Sequence, residues 1–245
     1  MPLFSATPAY AVFTFCQLPW RPLITLVSLG KKGNDYRGAK NALEKYTLPY
    51  PVFASTNFAK FTWYAVQSLQ VNWLIEQFNG WFSPLDTILV KGDHEPEYLA
   101  KTVDSPAKIV FAHGFFASGL HEISHWCVAG KRRRGLDDFG YWYAPDGRNA
   151  DEQRAFEQVE IMPQAIECLL TLMCGKRFEV SQDNLCADFD TSHSTFAHDV
   201  ANRTLQLWQT GEKLPSDAKF LLSQLQPLRP LPLTVFDIKK NFLSN

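Results

Sequence analysis

The sequence predicts an α+β fold, with helices packed on a small, mostly antiparallel sheet. Three observations predict it. TILVKG (87–92), KIVFAHG (108–114) and FGYWY (139–143) are short β-rich runs set off by turn residues. Longer segments repeat their apolar residues at helical spacing. The two kinds of segment do not fall into the regular βαβ alternation of a parallel sheet.

In chain order, residues 1–65 read as an N-terminal extension of doubtful order. MPLFSATPAYAVFTFCQLPWRP holds no period for long, and GKKGNDYRGAKNALEKY is polar and turn-rich. The first thirty residues carry Arg21 as their one charge, but Pro8, Pro19 and Pro22 interrupt them and no basic segment precedes them. Neither a signal peptide nor a membrane span is expected there. Residues 66–235 read as the folded domain and 236–245 as a C-terminal tail. In QVNWLIEQFNGWF, Val71, Leu74, Ile75, Phe78 and Phe82 have helical spacing and Asn79-Gly80 is a stop signal. DHEPEYLAKTVDSPA (93–107) reads as polar loop. A helix from Phe116 to Ala129 is expected to stop at Gly130, with Lys131, Arg132, Arg133 and Arg134 where positive charge suits a helix end. ADEQRAFEQVEIMPQAIECLLTLMCG (150–175) is a long helical pattern that Pro163 should kink or split. Helices over 192–209, stopped by Gly211, and over 215–226 complete the domain.

Composition narrows the function. A net charge of -1 gives no basic field to attract nucleic acid. The cysteines (Cys16, Cys127, Cys168, Cys174, Cys186) are odd in number and form no C-x-x-C, which argues for buried thiols in a reducing cytoplasm. Aromatic residues at 14% point to a Trp- and Phe-rich core or pocket.

The chemistry sits in His121-Glu122-Ile-Ser-His125. On a helix, positions i and i+4 lie one above the other, so His121 and His125 can share one cation. Two imidazoles do not complete a site, because catalytic centres typically take three protein ligands. The third His of a metzincin would fall on Lys131, so that subclass is excluded. A carboxylate of the following helix is the alternative, in the order Glu160, Glu157, Glu167, with Gln164 on the Glu160 face as an orienting partner. The metal site is thus expected between the H-E-x-x-H helix and that Glu-bearing helix. Spacing leaves the metal open. Zinc with this set gives a hydrolase in which Glu122 serves as general base. The same set is the iron(II) oxygenase triad, where Glu122 need only hold a hydrogen bond beside the ligands.

IVFAHGFFASGLHEISHWCVAGKRRR, followed by DFGYWYAPDGR, FEQVEIMPQA and the VSQDNL segment, resembles the bacterial elongation factor P hydroxylase family, in order and over roughly residues 70–235. The resemblance implies a cytoplasmic enzyme that hydroxylates a lysine of elongation factor P, usually one that already carries a β-lysyl group. It implies a two-His-one-Glu centre at His121, His125 and Glu160. It favours Fe(II) over Zn, with molecular oxygen as co-substrate; no residue set is assigned to the reductant. Lys131 to Arg134 are candidates to grip the acidic protein partner. His113 is a candidate pocket wall, Tyr141, Trp142 and Tyr143 a candidate channel lining, and Asp137, Asp138 and Asp146 candidate attractors of a cationic substrate.

Overall fold

The computed structural model describes residues 56–140, 147–184, 189, 194–229 and 231–243, with side chains from residue 69 onward. Residues 1–55, Tyr141, Trp142, Tyr143, Asp146, Cys186 and the expected helix start at 192 lie outside the described residues. The chain divides into two compact units, residues 1–70 and 71–245. In the first, the described residues are helical and belong to α1 (Thr56–Phe82).

The second unit holds everything discussed below. α1 does not stop at Asn79-Gly80 but runs to Phe82. The Asn79 carboxamide is used elsewhere: its Oδ1 accepts from Leu89 N at 2.6 Å and its Nδ2 donates to Leu89 O at 3.4 Å. Leu89 lies in β1 (Thr87–Lys91), which alternates buried and half-buried positions, as does β3 (Ala107–Phe111). β2 (Glu97–Leu99) forms inside the segment that reads as polar loop. Tyr98 is its one buried residue, too short a pattern for a period of two to show.

The sheet has the order β1-β3-β2. β3 pairs with β1 in parallel through Leu89↔Ile109 and with β2 antiparallel through Tyr98↔Ile109. It is therefore a mixed sheet, because β3 returns alongside β1 after β2 has formed. The outer edge of β2 is occupied: Asp138 Oδ1 accepts from Tyr98 N at 2.9 Å and Asp137 Oδ1 from Ala100 N at 2.7 Å. These aspartates cover the sheet edge.

They sit in a turn over Asp137–Gly140, where a strand was expected to begin at Phe139. Asp138, Phe139 and Gly140 have φ of 46°, 57° and 66°, a left-handed path no strand can follow. Burial compensates for that strain: Phe139 stacks on Tyr98 at 4.2 Å, and its carbonyl accepts from Arg133 Nε at 2.9 Å.

α2 (Phe116–Arg133) buries Phe116, Leu120, Ile123 and Cys127, a stripe at i, i+4, i+7 and i+11. Trp126 is enclosed by Phe78 and Phe82, with ring centroids 5.5 and 4.8 Å away. Helical geometry breaks at Gly130 (φ 66°, ψ 174°), where the sequence places the stop, and one further turn follows. That turn commits half of the basic run to structure. The Arg134 guanidinium lies 3.4 Å from the Trp126 ring centroid, donates to Trp126 O and pairs with Asp217 at 2.6 Å. Lys131 and Arg132 stay exposed.

α3 (Ala150–Met173) starts in a capping box between Asn149 and Glu152 and continues through Pro163 without splitting. It packs against α2 on one side and against α4 (Phe196–Thr210) on the other. α4 ends at left-handed Gly211, and α5 (Ser216–Leu225) follows. The segment read as a tail carries a further helix, α6 (Val235–Leu243), which packs on α4. Thr234 and Asp237 cap it reciprocally, and the Asn241 amide bonds both Phe178 N and Phe178 O. No described helix is long and apolar enough to cross a membrane.

Gly119 lets α2 approach α1 and β3, since a Cβ there would lie 3.0 Å from Leu74 Cδ2 and 3.7 Å from Phe111. Gly119→Val is expected to destabilise the protein by about 1–3 kcal/mol through overpacking, read as a lower denaturant midpoint. An unchanged midpoint would mean that α2 does not depend on this close approach.

Candidate metal centre

The two histidines come from one face of α2. His121 and His125 stand four residues apart, ring centroids 4.7 Å from each other, with their Nε2 atoms at 3.1 Å. α3 supplies the carboxylates. Gln153, Glu157, Glu160, Gln164 and Glu167 are all buried and recur at steps of four, three, four and three residues, a polar stripe along one buried face of the helix. Pro163 does not split the helix, so Glu167 stays on the same stripe as Glu160.

Glu160 reaches both rings. Its Oε1 lies 3.2 Å from His125 Nε2 and its Oε2 3.7 Å from His121 Nε2. The three donor atoms of His121, His125 and Glu160 fall within 4.8 Å of one another. Glu160 is 1% exposed, and its Oε2 is buried without a hydrogen-bond partner. A buried carboxylate oxygen normally has a partner, and an orphan oxygen on a carboxylate that faces two imidazole nitrogens fits a cation.

Glu167 acts differently from the ligand role for which it ranked third. Its Oε2 lies 2.9 Å from His121 Nδ1, on the far side of the ring from Glu160. A proton on Nδ1 donated to Glu167 leaves the Nε2 lone pair facing the centre, the arrangement that orients metal-bound imidazoles. Glu157 does not join the cluster; it bonds Gln153 and Ser194. Gln164 is held by Ser181, donating to its carbonyl and accepting from its amide. Glu122 is half-buried at the edge of the cluster, close enough to feel the charges of His121, His125, Glu160 and Glu167, and makes no side-chain hydrogen bond among the described residues. His113 is exposed beside Phe115.

Electrostatics follow from this packing. Burial opposes charge on His121, but the Glu167 hydrogen bond and the carboxylates of Glu167, Glu160 and Glu122 outweigh it and carry its pKa up to about 10. Burial likewise opposes charge on Glu160, yet His125, then His121 and Gln164, hold its pKa down at about 2. Burial lifts the Glu122 carboxyl above the usual carboxylate range. The buried thiols of Cys127 and Cys168 are pushed far up, and that of Cys174 to about 12, so none is a nucleophile at neutral pH.

Arg148, which directly precedes the Asn149 cap of α3, is a site neighbour that the sequence reading passed over. It is buried, lies 3.9 Å over the Phe156 ring, and donates to Gln153 Oε1 and to the carbonyls of Gln182 and Asp183. It thereby ties the start of α3 to the 182–184 segment. An arginine next to a helix cap was the available signal.

Comparison with known proteins adds two findings. The chain is 53% identical over 114 residues to the elongation factor P lysine hydroxylase of Haemophilus influenzae, an alignment that covers 46% of this chain and 64% of that relative. It thus spans a little under two thirds of the relative's length. The family described as elongation factor P hydroxylase matches residues 77–230, a range that contains His121, His125, the three buried α3 glutamates and Arg148, and the chain belongs to that family.

Proposed function

We propose that this chain hydroxylates a lysine side chain of elongation factor P, with His121, His125 and Glu160 holding the metal. One observation carries the reading: two imidazoles and a buried carboxylate with an orphan oxygen converge, in a chain of this family, on a single point. A redox-active ion such as Fe(II), with molecular oxygen, supplies the oxidising power that an unactivated C–H bond requires and that zinc lacks.

The protein's own part is positional. α2 and α3 bring three donors together that would hold the metal, whose remaining positions would be left for substrate and oxygen. Glu167 holds His121 in the orientation that presents Nε2. The enclosed wall of Trp126, Phe78 and Phe82 keeps α2 rigid one residue beyond His125. Glu122 needs no role as a base here, because no water has to be deprotonated. The exposed Lys131 and Arg132 are the part of the basic run free to meet an acidic protein; Arg133 and Arg134 serve the fold.

Intact-mass measurement tests the activity. β-Lysylated elongation factor P co-expressed with the chain should gain one oxygen atom, and co-expression with His121→Ala or Glu160→Ala should abolish the gain together with the bound metal. Full hydroxylation by Glu160→Ala would remove that residue from the centre; zinc-loaded protein with no gain would favour a hydrolase.

Glu167→Gln should keep the fold but weaken metal affinity by about 10–100-fold. An affinity equal to the unaltered protein's would reduce the His121–Glu167 contact to packing.

His121 also gives the centre a pH signature. Its raised pKa means that, without metal, it is protonated through neutral pH, and that its contribution to stability is complete below its unfolded value of 6.5 and lost as pH rises through about 10. A cation must displace that proton. Metal added at pH 7 to weakly buffered protein should therefore release protons, and affinity should rise with pH towards 10; binding with no proton release would contradict the placement of His121 in the centre.

A further inference from the structure

The buried stripe of α3 begins before the metal cluster. Glu157 is 8% exposed and lines a cleft of about 470 Å³ between the start of α3 and the start of α4, together with Gln153, Phe189, Ser194, Phe196 and Asp199. Its Oε1 accepts from Gln153 Nε2 at 3.2 Å and its Oε2 from Ser194 Oγ at 2.9 Å. Both donors are neutral. No described cation lies within ion-pair distance of it, and Arg154 on the cleft wall is already paired with Asp151. Burying a carboxylate without a counter-charge is costly, and folds that do so usually present it to a ligand or another charge.

The surroundings are built to hold this carboxylate in place. Arg148 Nε fixes Gln153 Oε1 at 3.0 Å, which turns the Gln153 amide nitrogen towards Glu157. Ser194 Oγ, while donating to Glu157, accepts from Phe196 N at 3.2 Å at the start of α4. Two neutral bonds leave lone pairs of Glu157 unused. Phe189 and Phe196 offer apolar cover for a methylene chain, and Asp199 adds a second negative group at the cleft. Glu157 stands three residues before Glu160 on the same stripe, about 4.5 Å along the helix axis.

We propose that Glu157 is a specificity residue that receives the ammonium group of an aliphatic amine side chain entering beside the metal centre. The ligand class is a primary alkylammonium on a flexible methylene stem. The inference rests on the reading that the centre acts on a lysyl side chain: the ammonium would be gripped at the cleft while a carbon of the stem faces the metal.

The test uses the full chain loaded with zinc, so that binding is read without turnover. The probes are 1,5-diaminopentane and its neutral counterpart 1,5-pentanediol, followed by NMR titration. The protein should prefer the diamine, and Glu157→Gln should cut that preference by about tenfold or more. Glu157→Asp should restore part of it, and unchanged zinc stoichiometry in both variants reports an intact fold. With elongation factor P as substrate, Glu157→Gln should raise KM more than it lowers kcat. A protein that binds the two probes alike, or a Glu157→Gln that keeps the preference, overturns the proposal. A Glu157-dependent diamine preference without any hydroxylation would sink only the hydroxylase reading.

Discussion

One constraint organises the second unit: three glutamates on a single helix are buried, and each needs something opposite it. Glu160 and Glu167 are answered by the imidazoles of α2, one on each side of His121. That pairing sets how α2 and α3 lie against each other as firmly as the apolar contacts do, because separating the helices would strand both carboxylates in a poorly solvated interior. The apolar side of α2 then has to be close-packed to hold the register. Gly119 against Leu74 and Trp126 between Phe78 and Phe82 provide this, and the mixed sheet closes the remaining side through Phe111.

The same constraint explains why the turn after α2 is so heavily tied. Gly130 ends the helix five residues after His125, and the chain must then reverse without disturbing the histidine face. Arg134 reaches back to the Trp126 ring and carbonyl, Arg133 to Phe139, and the Tyr98 hydroxyl donates to Arg134 O at 2.8 Å. A left-handed turn that would be costly alone is stable here because Asp138 and Phe139 find partners on Tyr98 of β2 and Asp137 on Ala100 just beyond it.

What the sequence made legible follows from the range of the interactions. The i, i+4 histidine pair, the glycine that ends their helix and the glutamate ten residues into the next long helix are local periodic signals, and each stands where it was read. β2 and α6 were not legible. Tyr98 is a single buried residue among polar neighbours, and α6 is nine residues whose stability comes from Asn241 pairing with distant Phe178. The turn at Asp137–Gly140 misled for a related reason. Phe139 and Gly140 begin a run of strand-forming residues, but the aspartates before them satisfy a sheet edge some forty residues away, and at these two positions that long-range demand overrides local propensity. Glu167 was undervalued because Pro163 was expected to break the stripe; a proline inside a helix buried on several sides removes one hydrogen bond without ending the helix.

On the proposed function, the polar stripe of α3 also separates two tasks that the centre would combine. Holding a metal needs donors that meet at a point, and the half of the stripe from Glu160 to Glu167 supplies or orients them. Choosing a substrate needs a group that meets the ligand some distance from that point, and the half from Gln153 to Glu157 faces a cleft with a fixed carboxylate. Both halves are held by the same device, a side-chain amide of α3 that bonds the backbone of the 181–184 segment: Gln164 to Ser181 and Gln153 to Gln182. A shift of that segment would therefore move the cleft and the centre together, so the two are linked mechanically through one strip of backbone as well as by their place on one helix.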